Sequence, residues 1–455
     1  MKRRVTGTCI DYTHDGKGVL KIEGIPLFVE NVIVGEEAEV LITKREKGYN
    51  LGRLIKLLSV SKNRCRPLCD NYKYCGGCHL QHMVYEEQLR FKQNRVQDVI
   101  KRIAGIEIEV PKIWEMKEPL RYRNKVQVPI GQTYDGKIIA GFFKKRSHQI
   151  IDMQECFIED RDADELILLI KELVQKYKIE PCEIHEKRGF LRYAVVRKSF
   201  ANQDLMVVFV TRNEIFPRKN ALTTELVERN PKVKTVVQNI NPSRSSVVLG
   251  RREKILYGPG FIVDKICGLK FKISAHSFYQ VNPIQTEVLY RKAVEFAELK
   301  GYETILDAYC GVGTIGLIAA SRVKKVIGVE LVKSAVDDAK ENAKSNNITN
   351  AEFFNEDATE FILKAVKKKS KYDVIFLDPP RDGCSQEFIT SILKLLPPKL
   401  IYVSCDPASL ARDLKTLKQS YELKKIECVD MFPQTYHIET VVLLSKLNKN
   451  HIRDG

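Results

Sequence analysis

Apolar and polar positions change rhythm three times along the chain. Up to residue 58, short apolar runs at 5–10, 18–22, 25–29, 38–43 and 51–57 are separated by turn sequences such as His14-Asp-Gly-Lys-Gly18 and Lys47-Gly48-Tyr49-Asn50. Runs this short with no helical period between them predict five strands, and five such strands predict a small barrel of the oligonucleotide-binding type. A helix is predicted near 84–105, where Leu89, Val96, Val99, Ile100 and Ile103 form an apolar stripe. Lys92, Arg95, Lys101 and Arg102 are interspersed with it, a pattern that predicts a solvated face.

Residues 120–265 are strand-rich, with runs at 125–129, 138–143, 193–197 and 205–210 and one helix near 161–177. After Pro283, strand-like runs at 304–306, 325–329, 352–354, 372–377, 400–403 and 440–444 alternate with helical segments near 314–320, 333–346, 357–367, 386–396 and 407–419. Alternation of this kind predicts a doubly wound α/β sheet. The expected organisation is a barrel over 1–58, a mixed, strand-rich central domain over 59–270 and an α/β domain over 271–455.

A chain of 455 residues has room for two or three cores. No apolar run approaches membrane-spanning length, and Met1-Lys2-Arg3-Arg4-Val5 is not followed by the apolar segment of a signal peptide, so a soluble cytoplasmic protein with no membrane partner is expected. Lys and Arg number 75 against 58 acidic residues, a net charge of +17, which favours a polyanionic partner, with nucleic acid the leading candidate. Arg121-Tyr122-Arg123-Asn124-Lys125, Lys144-Lys145-Arg146 and Arg192-Tyr193 set cations beside aromatics, the mix that neutralises phosphates and stacks bases. Twelve cysteines in a reducing compartment are not expected to pair as disulfides. Those clustered in Cys65-Arg-Pro-Leu-Cys69-Asp-Asn-Tyr-Lys-Tyr-Cys75-Gly-Gly-Cys78 therefore point to a metal or to catalysis, and by spacing alone zinc and an iron-sulfur cluster are equally open.

Ile305-Leu-Asp307-Ala-Tyr309-Cys310-Gly311-Val-Gly313-Thr314-Ile-Gly316 puts an acid at a strand end and glycines in the turn before a helix. Glu330, Asp357 and Asp378 end later strands. A carboxylate at Glu330 can accept both hydroxyls of a ribose, and one at Asp357 can accept from an adenine amino group. Acids around the first turn suit a cationic cofactor without phosphate, S-adenosylmethionine, whereas a dinucleotide wants an anion-friendly turn. Use of the same acids as helix caps is the competing account. Further on, Asp378-Pro379-Pro380-Arg381 breaks both strand and helix to shape a rigid lip. Ser404-Cys405-Asp406-Pro407 then offers a thiol at a strand end, where ligands of open α/β sheets bind.

With Phe278-Tyr-Gln280-Val-Asn282 and His437-Ile-Glu439, these motifs give the chain a resemblance, over nearly its whole length, to the RNA uracil-5-methyltransferase family. The resemblance implies that Cys405 adds to carbon 6 of uracil and that Glu439 removes the carbon-5 proton after methylation. Gln280, Tyr309, Glu330 and Asp378, with Asp357 and Thr314, are the implied contacts to S-adenosylmethionine, although many members carry asparagine at the position of Thr314. Cys69, Cys75, Cys78 and Cys156 match the iron-sulfur pattern of the ribosomal-RNA branch, which implies a [4Fe-4S] cluster with Cys65 as an unassigned fifth thiol. Residues 1–58 are similar to that branch's TRAM domain. The expected activity is therefore 5-methyluridine formation in 23S ribosomal RNA by a monomer. The alternatives are the same reaction on tRNA, a non-catalytic RNA-binding assembly factor, and a small-molecule methyltransferase, which the RNA-binding modules oppose. Trp114 and His276 are expected to be packing residues.

Overall fold

The computed structural model describes residues 3–182, 189–243 and 247–448. Strands β1 (Arg4–Tyr12), β2 (Gly18–Ile22), β3 (Ile25–Val29), β4 (Glu37–Glu46) and β5 (Tyr49–Leu57) close into a barrel in the order β1-β2-β3-β5-β4. Alternate residues point inward, and Leu20, Leu27, Val29 and Val40 are fully buried. The barrel is fastened to the next segment by polar contacts. Arg64 forms an ion pair with the buried carboxylate of Glu36 at 2.6 Å, and the Tyr12 hydroxyl donates to Glu87 at 3.0 Å.

Helix α1 (Tyr85–Val99) runs into a π-helical turn, Ile100–Ala104, that ends at Gly105 with φ of 62°. The central sheet holds β6 (Lys125–Gln132), β7 (Ile138–Phe143), β8 (Ile150–Asp152), β9 (Leu191–Lys198), β10 (Leu205–Thr211), β11 (Val233–Ile240) and β12 (Arg252–Tyr257), in the order β12-β11-β10-β9-β6-β7-β8. Helices α2 (Arg161–Lys176) and α3 (Lys219–Arg229) cover one face. Asp160 caps α2 by accepting from the Asp162 amide, and the α2 stripe of Leu166, Ile170 and Leu173 is buried against the sheet. A hairpin of β13 (Phe261–Ile266) and β14 (Leu269–Ser274) crosses residue 270.

Helix α4 (Pro283–Ala297) leads into the third unit, which alternates β15 (Thr304–Ala308), α5 (Thr314–Ala319), β16 (Lys325–Glu330), α6 (Lys333–Ser345), β17 (Ala351–Asn355), α7 (Ala358–Lys367), β18 (Val374–Leu377), α8 (Gln386–Leu395), β19 (Lys399–Ser404) and α9 (Pro407–Leu417), before β20 (Tyr421–Val429) and β21 (Glu439–Lys446). The sheet order is β17-β16-β15-β18-β19-β21-β20. The first five are parallel and β21 runs antiparallel between β19 and β20. Helices lie on both faces, so the inner strands read as unbroken apolar runs; Val374–Leu377 is buried throughout. The doubly wound α/β architecture and the N-terminal barrel are thus both present.

The solvated face predicted for the basic residues of α1 is not found. Lys92 is fully buried and pairs with Asp430 at 2.5 Å, and only a tenth of the Arg95 side chain is exposed. The reason is that α1 is covered twice: its apolar stripe packs on α9 and β-sheet residues such as Leu410 and Tyr402, while its polar stripe meets the segment 430–437. Lys101 and Arg102 remain exposed, as expected of their pattern.

Candidate active site

The strand order reverses between β15 and β18, and outside the carboxyl ends of these strands a cavity of about 910 Å³ opens. Gln280, Tyr309, Thr314, Glu330, Asp357, Asp378, Cys405 and Glu439 all line it. The sequence motifs scattered over 160 positions therefore meet in one space.

The first turn is built for close approach. Asp307 is the penultimate residue of β15, and its Oδ2 accepts from the Gly316 amide at 2.8 Å, while its Oδ1 is buried without a hydrogen-bond partner. A Cβ on Gly316 would lie 2.9 Å from that Oδ2 and 2.8 Å from Val326, so only glycine fits. Tyr309 (φ 65°), Gly311 (φ 54°) and Gly313 (φ 82°) carry the chain through left-handed conformations, the first of them unusual for a bulky residue. Glu330 ends β16 and accepts from the amides of Gly311 at 3.1 Å and Val332 at 2.8 Å. Asp357 does serve as a helix cap, accepting from Thr359 and Glu360 through one oxygen, yet it also faces the cavity. The capping and ligand-facing accounts hold together for this residue. Burial pushes the carboxyls of Asp307 and Asp378 up to about 7, so a cation placed beside them would favour their ionised form.

The opposite wall is set by strand pairing. Ser404, the last residue of β19, pairs with Thr440 of the antiparallel β21, so Cys405 and Glu439 are the next facing positions. Glu439 is 3% exposed, and burial, with Asp378 nearby, raises its carboxyl well above the ordinary range. Burial and then the charges of Glu439 and Asp378 push the Cys405 thiol up to about 11, while the Arg381 guanidinium pulls it down. Burial and neighbouring cations hold His437 down at about 4, so its imidazole is neutral at pH 7. A thiol, carboxyls able to hold or take a proton, and one cation thus share a single wall.

Two cavity residues, Tyr290 and His79, were not singled out by pattern. Tyr290 of α4 is buried beside Gln280 and His79 reaches in from the cysteine-rich segment, while Arg123, already marked by its basic and aromatic neighbours, enters from the central segment. His276 also lines the cavity and pairs with Glu253 at 3.2 Å, so it is not a packing residue as expected. Trp114 is 42% exposed, with its indole N–H on Glu427. No motif or period marks Tyr290 or His79; only tertiary proximity does.

A model of the family described as tRNA (Uracil-5-)-methyltransferase matches residues 84–447. The chain belongs to the RNA uracil-5-methyltransferase family. It is 45% identical over 431 residues to an uncharacterized RNA methyltransferase of Clostridium tetani, covering 94% of each chain. It is 46% identical over 439 residues to another of Listeria innocua, covering 96% of each. Among solved structures, the tRNA (uracil-54, C5)-methyltransferase of Pyrococcus abyssi, in complex with S-adenosyl-L-homocysteine, superposes with a TM-score of 0.78 at 30% identity, over 96% of this chain and 99% of that one. This protein is therefore an S-adenosylmethionine-dependent enzyme that acts on uracil in RNA.

Beside the methyltransferase cavity lies a second one of about 390 Å³, and Cys69, Cys75, Cys78 and Cys156 all line it. Tyr72, Phe142, Met153 and Ile158 complete an apolar wall, and Cys78 and Cys156 are buried. Burial raises all four thiols, and each is raised further by a neighbouring thiol or carboxylate. Among the described residues, no three His, Cys, Asp or Glu side chains converge on a single metal-ion position. Cys65 is not in this wall; its thiol faces the Gln81 carbonyl at 3.2 Å. The two cavities share Gly77, Arg123 and Val281. No helix among the described residues is long and apolar enough to cross a membrane.

Proposed function

We propose that the enzyme forms 5-methyluridine in 23S ribosomal RNA, with Cys405 as nucleophile and Glu439 as base. Carbon 5 of uracil is too poor a nucleophile to take a methyl group unaided. Addition of the Cys405 thiolate to carbon 6 converts the ring to an enolate, and carbon 5 then takes the methyl group that S-adenosylmethionine supplies. Glu439 removes the carbon-5 proton, and re-formation of the 5,6 double bond expels Cys405. The observation that carries this reading is the backbone register that sets Cys405 and Glu439 side by side on the cavity wall. Arg381 is the cation that favours the thiolate, and Gln280, Tyr309, Thr314, Glu330, Asp357 and Asp378 are the cofactor contacts. The target base must leave its stack to expose carbon 6.

RNA carrying 5-fluorouracil at the target tests the chemistry, because fluorine cannot leave as a proton. A covalent complex should accumulate with cofactor, and persistence of that complex in Cys405→Ala would overturn the nucleophile assignment. The choice of 23S RNA rests on the cysteine set and barrel. A second reading, tRNA, is favoured by the Pyrococcus abyssi enzyme, which matches this chain over nearly its full length. Mapping 5-methyluridine after deletion of the gene separates them: loss from tRNA alone rejects the ribosomal reading.

Cys69, Cys75, Cys78 and Cys156 would hold a [4Fe-4S] cluster with a structural or RNA-positioning role. Anaerobically purified protein should then contain iron and sulfide; zinc without iron would reject the cluster. The barrel and the basic central segment are the proposed RNA-binding units, bounded at 1–58 and 59–270, with the methyltransferase unit at 271–455. A monomer is the expected state.

A further inference from the structure

The segment between β20 and β21, residues 430–438, has no regular secondary structure and carries Glu439 at its end. Backbone carbonyls in a buried irregular segment need donors from elsewhere. Two of them, at Phe432 and Tyr436, come from one face of α1, while Gln285, Asn282, Tyr122 and the amides of His79 and Leu80 serve Asp430, Met431, Pro433 and Gln434. Lys92 donates to the Phe432 carbonyl at 3.1 Å and pairs with Asp430. Gln88 exchanges two hydrogen bonds with Gln434, each at 3.0 Å. Arg95, three residues beyond Lys92, donates to the Tyr436 carbonyl at 2.8 Å.

Arg95 differs from the others in reaching a second loop. Its other terminal nitrogen faces Asp406 Oδ2 at 3.8 Å, and Asp406 directly follows Cys405. The remaining oxygen of Asp406 caps α9 by accepting from Ala408 and Ser409. The guanidinium also lies over the Tyr436 ring, 5.9 Å from its centroid. Burying a cation costs free energy that an apolar side chain would not incur, so these contacts must offset it.

We propose that Arg95 is a positioning residue that ties the turn after Cys405 to the segment before Glu439 and so holds nucleophile and base at one spacing. The inference rests on the roles given above to Cys405 and Glu439. The stronger contact is on the base side, at 2.8 Å against 3.8 Å. Loss of Arg95 should therefore slow proton removal more than thiolate attack, and the covalent enzyme–RNA intermediate should build up on ordinary uracil.

The test compares full-length wild type, Arg95→Met and Arg95→Lys, measuring kcat, KM for RNA and for S-adenosylmethionine, melting temperature and the steady-state fraction of enzyme bound covalently to RNA. In Arg95→Met, kcat should fall about 10- to 100-fold, the cost expected of a misplaced catalytic group, with a raised covalent fraction and KM values that fall with kcat rather than rise, because enzyme held in a late intermediate lowers both. Arg95→Lys keeps the charge but cannot serve both partners, so it should recover part of kcat and still show a raised covalent fraction; it carries the test if the methionine variant does not fold. Unchanged kcat and covalent fraction in folded protein, or a loss of kcat matched by lost folded protein with a wild-type covalent fraction, would overturn the proposal. If the wild type itself forms no adduct with 5-fluorouracil RNA, or Cys405→Ala still does, the roles of Cys405 and Glu439 fail first and this inference with them.

Discussion

In ligand-free enzyme the Cys405 thiol is raised from an ordinary 9.0 to about 11 by burial and by the carboxyls of Glu439 and Asp378. At pH 8 the thiolate is then only about one molecule in a thousand, roughly 100-fold below an unperturbed cysteine. A more basic thiolate is intrinsically more reactive, which returns roughly tenfold. Population wins, and alkylation of Cys405 by iodoacetamide should be roughly tenfold slower at pH 8 than for an unhindered thiol, rising about tenfold per pH unit up to about pH 10. A cation at the outer end of the usual roughly 4–6 Å range of such effects would, at an effective dielectric constant of about 20, stabilise a thiolate by roughly 3 kcal/mol, or about two pKa units. S-adenosylmethionine should therefore shift the reactivity profile to lower pH, and neutral S-adenosyl-L-homocysteine should not. Peptide-resolved mass spectrometry separates Cys405 from the other eleven cysteines. A profile that levels off below pH 9 without ligand, or identical midpoints with the two ligands, would refute the reasoning.

Glu439→Gln should abolish 5-methyluridine while leaving ordinary uracil RNA attached to Cys405, visible as a retarded band on denaturing gels; a free, unmethylated RNA would mean that Glu439 acts before the adduct. Gly316→Ala places a methyl group against Asp307 and Val326, so the Kd for S-adenosyl-L-homocysteine should rise roughly tenfold, about 1–3 kcal/mol of overpacking at the turn. Calorimetry giving wild-type affinity would count against that turn as the cofactor cradle. Phe388 is fully buried with its ring 5.5 Å from Tyr309, and Phe388→Ala should cost about 3–5 kcal/mol in urea unfolding.

Much of this was legible before any coordinates. Strand and helix alternation after Pro283 is a local signal, and the turn around Gly311, Gly313 and Gly316 is contiguous in sequence, so both could be read along the chain. The fate of Lys92 and Arg95 could not. Their partners Asp430 and Tyr436 lie 338 and 341 residues away, and a basic residue on a helix looks the same from sequence whether it meets water or a buried carboxylate. Tyr290 and His276 escaped for the same reason, because each enters the cavity from a segment whose own pattern speaks only of packing, and Arg123 was marked only as part of a basic run, not as a cavity residue. Helix α4 and strand β20 were also absent from the pattern reading, since both mix polar and apolar positions and draw their order from the sheet they flank.

The antiparallel seat of β21 also constrains how this enzyme can fail. Side chains alternate along a strand, so losing or gaining one residue between 430 and 438 would turn the Glu439 carboxyl to the far side of the sheet or draw it out of line with Cys405. The cofactor turn belongs to other strands and would be untouched. A change of length there is thus aimed at the base and its strand, while the residues of the cofactor turn keep their places in the sequence and in the sheet.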